Sequence, residues 1–149
     1  MYLDGVLRNG KKVPIRESMA FYRSTKENIK IILAADSKSE GDQWLRTHNL
    51  KQFDDIVGDE VPMVAPTLQI SQAEYIRSQG QGKLSMVITA DPELAKELLE
   101  RGFTVMLFLN PLYADPASRP DSSEGRRKWE DITSAIDRQQ ELFMEDPRT

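Results

Sequence analysis

The chain has 149 residues, 39% hydrophobic and 30% charged, with 20 Lys and Arg against 24 Asp and Glu, one histidine and no cysteine. That length predicts one domain able to bury a core without staples, and the composition excludes a disulfide framework, a thiolate nucleophile, Cys-based metal sites and a multi-histidine cage. A net charge of −4 argues against a general nucleic-acid binder, and no apolar run nears the ~18 residues of a membrane span; a soluble, cytoplasmic protein is expected, with any catalysis resting on carboxylates.

Residues 1–4 (MYLD) read as the end of a clipped strand. It runs into residues 5–13, where Asn9-Gly10 predicts a two-residue hairpin turn. Residues 18–25 set Met19, Phe21 and Tyr22 on one stripe and predict a helix. Residues 29–35 (IKIILAA) follow as a strand. Ser37 with Glu40 three residues on has capping-box spacing and opens a helix over 38–49. A strand over 53–57 (FDDIV), a helix over 71–79 and a strand over 84–89 (LSMVIT) come next. The helix over 92–101 has the strongest punctuation: Asp91 as N-cap, Pro92 at the first position, Arg101 in the last turn and Gly102 just past it. A strand over 104–109 (TVMLFL) closes the core. Residues 110–128 read as a loop, and over 129–149 the residues Trp129, Ile132, Ile136 and Phe143 recur at helical spacing, predicting an amphipathic helix packed on the same domain or offered to a partner.

Three of the four apolar runs do not alternate, as expected of strands covered on both faces of a parallel sheet. Strands alternating with helices point the same way. The expected architecture is therefore α/β: a single-domain three-layer sandwich with a five-stranded, mainly parallel sheet over residues 1–109. In such sheets ligands bind beyond the carboxyl ends of the strands. Asp4, Asp36-Ser37 and Asp91 fall there, and converging carboxylates suit a hard cation such as Mg²⁺. The helix opening at Pro92 would aim its positive end at the same edge.

Leu3-Asp4-Gly5-Val6-Leu7 followed by a hairpin resembles the first motif of the haloacid dehalogenase-like superfamily of phosphotransferases, apolar residues and then D-x-D-G-[TV]-[LV]. Residues 87–105 are similar to its fourth motif, in which a strand ends in a metal-binding aspartate and a helix leads through a glycine to the next strand. The resemblance spans about residues 2–109. It implies a cap-less Rossmann-like member, akin to small phage-encoded relatives, with Mg²⁺ held by Asp4 and Asp91. The departures are as informative. The nucleophile's place falls on Tyr2, since Asp4 aligns with the aspartate that protonates the leaving group. The phosphate-binding Thr or Ser falls on Ala34 and Ala35, with Ser37 two residues along. The lysine's place reads Ala65-Pro66, and Lys83 stands beyond the next helix.

Because groups that act as a unit fail together, the pattern favours a catalytically silent domain that binds a protein or a phosphorylated ligand, the latter contacted by Asp36, Ser37 and Lys83. Two alternatives stay open: a Mg²⁺-dependent phosphatase or nucleotidase in which Asp4 is the residual acid/base or a substitute nucleophile, and an assembly protein that docks through its C-terminal helix. Bland readings stand beside each feature. Asp91 and Ser37 make good N-caps, and Gly80-Gln81-Gly82-Lys83 lacks phosphate-loop spacing.

Overall fold

Short apolar runs separated by amphipathic segments give short strands with helices between them. In the computed structural model, which describes residues 1–50, 55–79, 84–111 and 129–145, the order is α1 (Arg16–Thr25), β1 (Ile32–Ala34), α2 (Lys38–Thr47), β2 (Asp55–Val57), α3 (Leu68–Gln79), β3 (Val87–Thr89), α4 (Pro92–Glu100), β4 (Val105–Leu107) and α5 (Trp129–Glu145). β1 pairs in parallel with β2, Leu33 opposite Ile56, and β3 pairs in parallel with β4, Ile88 opposite Met106.

The expected five-stranded sheet is not formed. Among the described residues there are four strands, in two parallel pairs. The N-terminal segment, expected as the fifth strand, makes one isolated bridge to a strand, Tyr2 to Ala34, and another to its own hairpin, Asp4 to Arg8. Leu3 N donates to Ala34 O at 2.8 Å, Ala34 N to Met1 O at 3.0 Å, and Tyr2 N to Ile88 O at 3.0 Å. The segment thus bonds to both pairs without a ladder on either. The reason is its length. Gly5 turns the chain at φ 88°, and the amides of Leu7 and Arg8 fold back onto Leu3 O at 3.0 and 3.2 Å, so too few residues stay extended to make a strand of ordinary length.

The hairpin also differs from expectation. Asn9 N donates to Val13 O, Lys12 N donates to Asn9 O, both at 2.9 Å, and Lys12 takes φ 63°. That is a three-residue loop of Gly10, Lys11 and Lys12 ending in a left-handed residue, the G1-bulge type. Asn9 stands at its base, where its Oδ1 accepts from Lys11 N and Val13 N, so the Asn-Gly pair is not its centre.

Side chains alternate across the strands, and helices cover both sides. Leu3, Leu33, Ala35 and Ile56 face Met19 and Tyr22 of α1 and Trp44 and Leu45 of α2. Tyr2, Ala34 and Val57 face Ile70 and Ala73 of α3 and Leu94 and Leu98 of α4. Gly41 lets α2 approach closely: a Cβ there would lie 2.9 Å from both Ala35 Cβ and Ile56 Cδ1. α5 runs beside α4 and leaves Ile136, Leu142, Phe143 and Met144 exposed. Of the sequence-derived expectations, residues 53–54, Gly80-Gln81-Gly82-Lys83, residues 112–128 and residues 146–149 lie outside the described residues, as do the side chains of Trp129 and Ile132.

Candidate functional site

Asp4 ends the N-terminal segment, and the turn at Gly5 returns the chain so that Arg8 lies over it. Arg8 Nε donates to Asp4 Oδ1 at 2.7 Å and Nη2 reaches Oδ2 at 3.4 Å. The other side of the guanidinium meets α2, with Nη1 2.8 Å from Glu40 Oε2 and Nη2 2.7 Å from Glu40 Oε1. The Arg8 side chain is 2% exposed and its guanidinium carbon lies 5.3 Å from the centre of the Trp44 ring. Lys12 Nζ adds a contact of 2.8 Å to Glu40 Oε1, and Trp44 Nε1 donates to Lys12 O at 2.8 Å. One buried cation therefore joins two carboxylates and clamps the hairpin to α2. The hydrogen bond from Arg8, joined by that from Lys12, holds the Glu40 carboxyl at about 2.

Asp36 sits just past β1 and accepts from Gln69 Nε2 at 2.9 Å. Partial burial, and next the field of Asp4, push its carboxyl above the ordinary range. Gln69 also receives Tyr2: the Tyr2 hydroxyl, on a residue 7% exposed, donates to Gln69 O at 2.5 Å. Burial, and then the charge of Asp91, push that phenol above its usual value. Asp91 Oδ1 accepts from Glu93 N at 3.0 Å and Leu94 N at 3.2 Å, which makes it the N-cap of α4. Ser37 Oγ likewise accepts from Glu40 N at 3.3 Å and caps α2.

Of the residues the sequence singled out, Asp4 and Asp36 therefore share one electrostatic neighbourhood with Arg8 and Glu40. Asp91 lies near Tyr2. Lys83 is outside the described residues. Ala34 and Ala35, at the place of the phosphate-binding hydroxyl, are buried, and Ala35 O accepts from Gln72 Nε2 at 2.7 Å.

These residues do not fit the Mg²⁺ that the resemblance implies. A shared cation needs free carboxylate oxygens converging on one point. Both oxygens of Asp4 face Arg8, and Asp91 serves α4. Among the described residues no group of three Asp, Glu, His or Cys side chains is placed to hold a metal.

No protein-family model, curated protein or solved structure matches this chain. No helix among the described residues is long and apolar enough to cross a membrane.

Arg8, Lys12, Gln69 and Gln72 are absent from the sequence-derived site. Arg8 had a signal: a single charged residue closing the apolar run Gly5-Val6-Leu7, four positions after an aspartate. Glu40 was legible only as half of a capping box, and its carboxylate goes instead to Arg8 and Lys12. Gln72 gave none. Its side chain is 1% exposed, Nε2 also reaches Gly58 O at 3.3 Å, and Oε1 is buried without a partner. This polar strut ties α3 to the ends of β1 and β2.

Proposed function

We propose that this chain is a degenerate relative of the haloacid dehalogenase-like phosphotransferases, catalytically silent, that acts by binding a protein. The observation that carries this is Tyr2. At the position where the resembling family keeps its nucleophilic carboxylate stands a phenol packed in the core, its proton committed to Gln69 O and held more tightly than in water. An attacking oxygen must shed its proton and face the phosphorus in line, with a base beside it. Tyr2 meets none of these needs, since its neighbour Asp91 stabilises the protonated form and is itself engaged with α4.

A protein fits better than a phosphorylated ligand. Ser37 is used as a helix cap, and a phosphate arriving beside Asp36 and Asp91 would meet like charge. The apolar residues Ile136, Leu142, Phe143 and Met144 exposed on α5 favour that helix as the docking element. A cytoplasmic setting belongs to the same proposal.

Covalent labelling tests it. Incubated with a radiolabelled acyl or aryl phosphate and Mg²⁺, the chain is expected to take up no acid-stable label. Label that appears and is lost in Tyr2→Phe or Asp4→Asn contradicts the proposal, and the second case would point to Asp4 as a substitute nucleophile.

A further inference from the structure

The misfit at the Mg²⁺ position has a definite geometry. The guanidinium of Arg8 lies between Asp4 and Glu40, within 2.7 Å of an oxygen of each, and its side chain is 2% exposed. Asp36 stands close enough to feel Asp4, Arg8 and Glu40 together. Two carboxylates from two separate elements therefore hold one buried positive charge supplied by the chain itself. A planar guanidinium can satisfy two carboxylates at once through fixed, forked donors. A divalent ion would have to displace it.

We propose that Arg8 is a built-in cation: it takes the role that a divalent metal would have at this end of the strands, closes the site to metal, and leaves a latent metal site beneath it. The charges support this. Without Arg8, the carboxylates of Asp4 and Glu40 are left on either side of its place with only Lys12 Nζ, a solvated contact of Glu40, opposing them. Such a group repels itself unless protons or a cation bind. This goes beyond the binding role proposed above and does not rest on it. A wild-type chain that binds metal at Asp4 yet takes up no phosphoryl label would overturn this proposal and leave that one standing.

The test uses Mn²⁺ as the probe, its free form followed by electron paramagnetic resonance, with circular dichroism to score folding. Wild type is expected to bind no more Mn²⁺ than Asp4→Asn. Arg8→Met, which keeps the aliphatic stem and removes the charge, is expected to bind Mn²⁺ about tenfold more tightly than wild type, and a further Glu40→Gln is expected to abolish the gain. Asp4-dependent binding by wild type, or a folded Arg8→Met variant that binds no better than wild type, overturns the proposal. If Arg8→Met does not fold, the wild-type comparison still decides. Binding that disappears in Asp4→Asn refutes a resident cation, and equal binding by the two chains upholds it.

Discussion

Removing the Arg8 guanidinium while Asp4 and Glu40 remain leaves two carboxylates, 37% and 35% exposed, with their shared donor gone. Breaking a fully buried pair by deleting one partner typically costs about 3–5 kcal/mol; solvent at both carboxylates lowers that, so Arg8→Ala is expected to lose about 1–3 kcal/mol in urea unfolding, and no measurable loss would contradict the clamp. Glu40 sets the acid limb. Its folded value of about 2 lies below its ordinary 4.5, so the stability it contributes is fully present above pH 4.5 and disappears as the pH falls toward 2. Urea midpoints measured from pH 5 to pH 2 should fall in wild type and fall less steeply in Glu40→Gln. Asp36 works in the opposite sense. Its carboxyl is raised, so its ionisation opposes folding, and Asp36→Asn should match or exceed wild-type stability at pH 7. Tyr2 was singled out by motif spacing, but its bond to Gln69 O was not foreseen. Arg8 carried a local signal in its spacing from Asp4, but its pairing with Glu40 did not, because that depends on a tight turn and on a carboxylate 32 residues away.

At the scale of elements, local signals were read well and non-local ones poorly. α4 begins at Pro92, as the sequence indicated, because Asp91, Pro92 and Gly102 fix its ends within the segment itself. α1 starts two residues earlier than expected because Ile15, at its N-cap, has no side-chain cap to advertise it. α3 starts at Leu68 and not Ser71, just behind Pro66, with Thr67 Oγ1 receiving Ile70 N at 3.3 Å. The strands are shorter than their apolar runs because hydrophobicity reports burial, while pairing needs a partner in register. Packing of α2 on β1 and β2 can be tested at its closest point. Gly41→Ala brings a methyl 2.9 Å from Ala35 Cβ and Ile56 Cδ1, and overpacking of this kind costs about 1–3 kcal/mol. Gly58→Ala meets the Lys38 backbone at 2.3 Å, which cannot move aside as a side chain can, and should cost more than Gly41→Ala in the same assay. Asp91→Ala should lose about 1 kcal/mol as a lost cap, equally in Mg²⁺ and in EDTA; a loss seen only in Mg²⁺ would restore the metal-ligand role.

For the whole molecule, the α/β class and the covering of both strand faces by helices were legible from the order and apolarity of the segments. The continuity of the sheet was not. It hinges on the residues Met1, Tyr2 and Leu3, whose backbone hydrogen bonds to the strands reach Ile32, Ala34 and Ile88, and no periodicity can be read from so short a segment. The described side chains of α5, at residues 134 and 136–145, are all exposed. Leu98, fully buried on α4, should cost about 2–5 kcal/mol when cut to Ala, whereas Leu142→Ser and Met144→Ser, on exposed residues, should change stability by no more than about 0.5 kcal/mol. A chain ending before Trp129 should accordingly keep a single cooperative unfolding transition, and loss of that transition would make α5 part of the core. The measurement that bears most directly on the central claim, a phosphotransferase-like domain whose acid groups have become structural, is steady-state hydrolysis of an aryl phosphate in Mg²⁺ by wild type and Asp4→Asn, side by side. Equal rates, both at the level of buffer, are the expected result; turnover by wild type that vanishes in Asp4→Asn would contradict it.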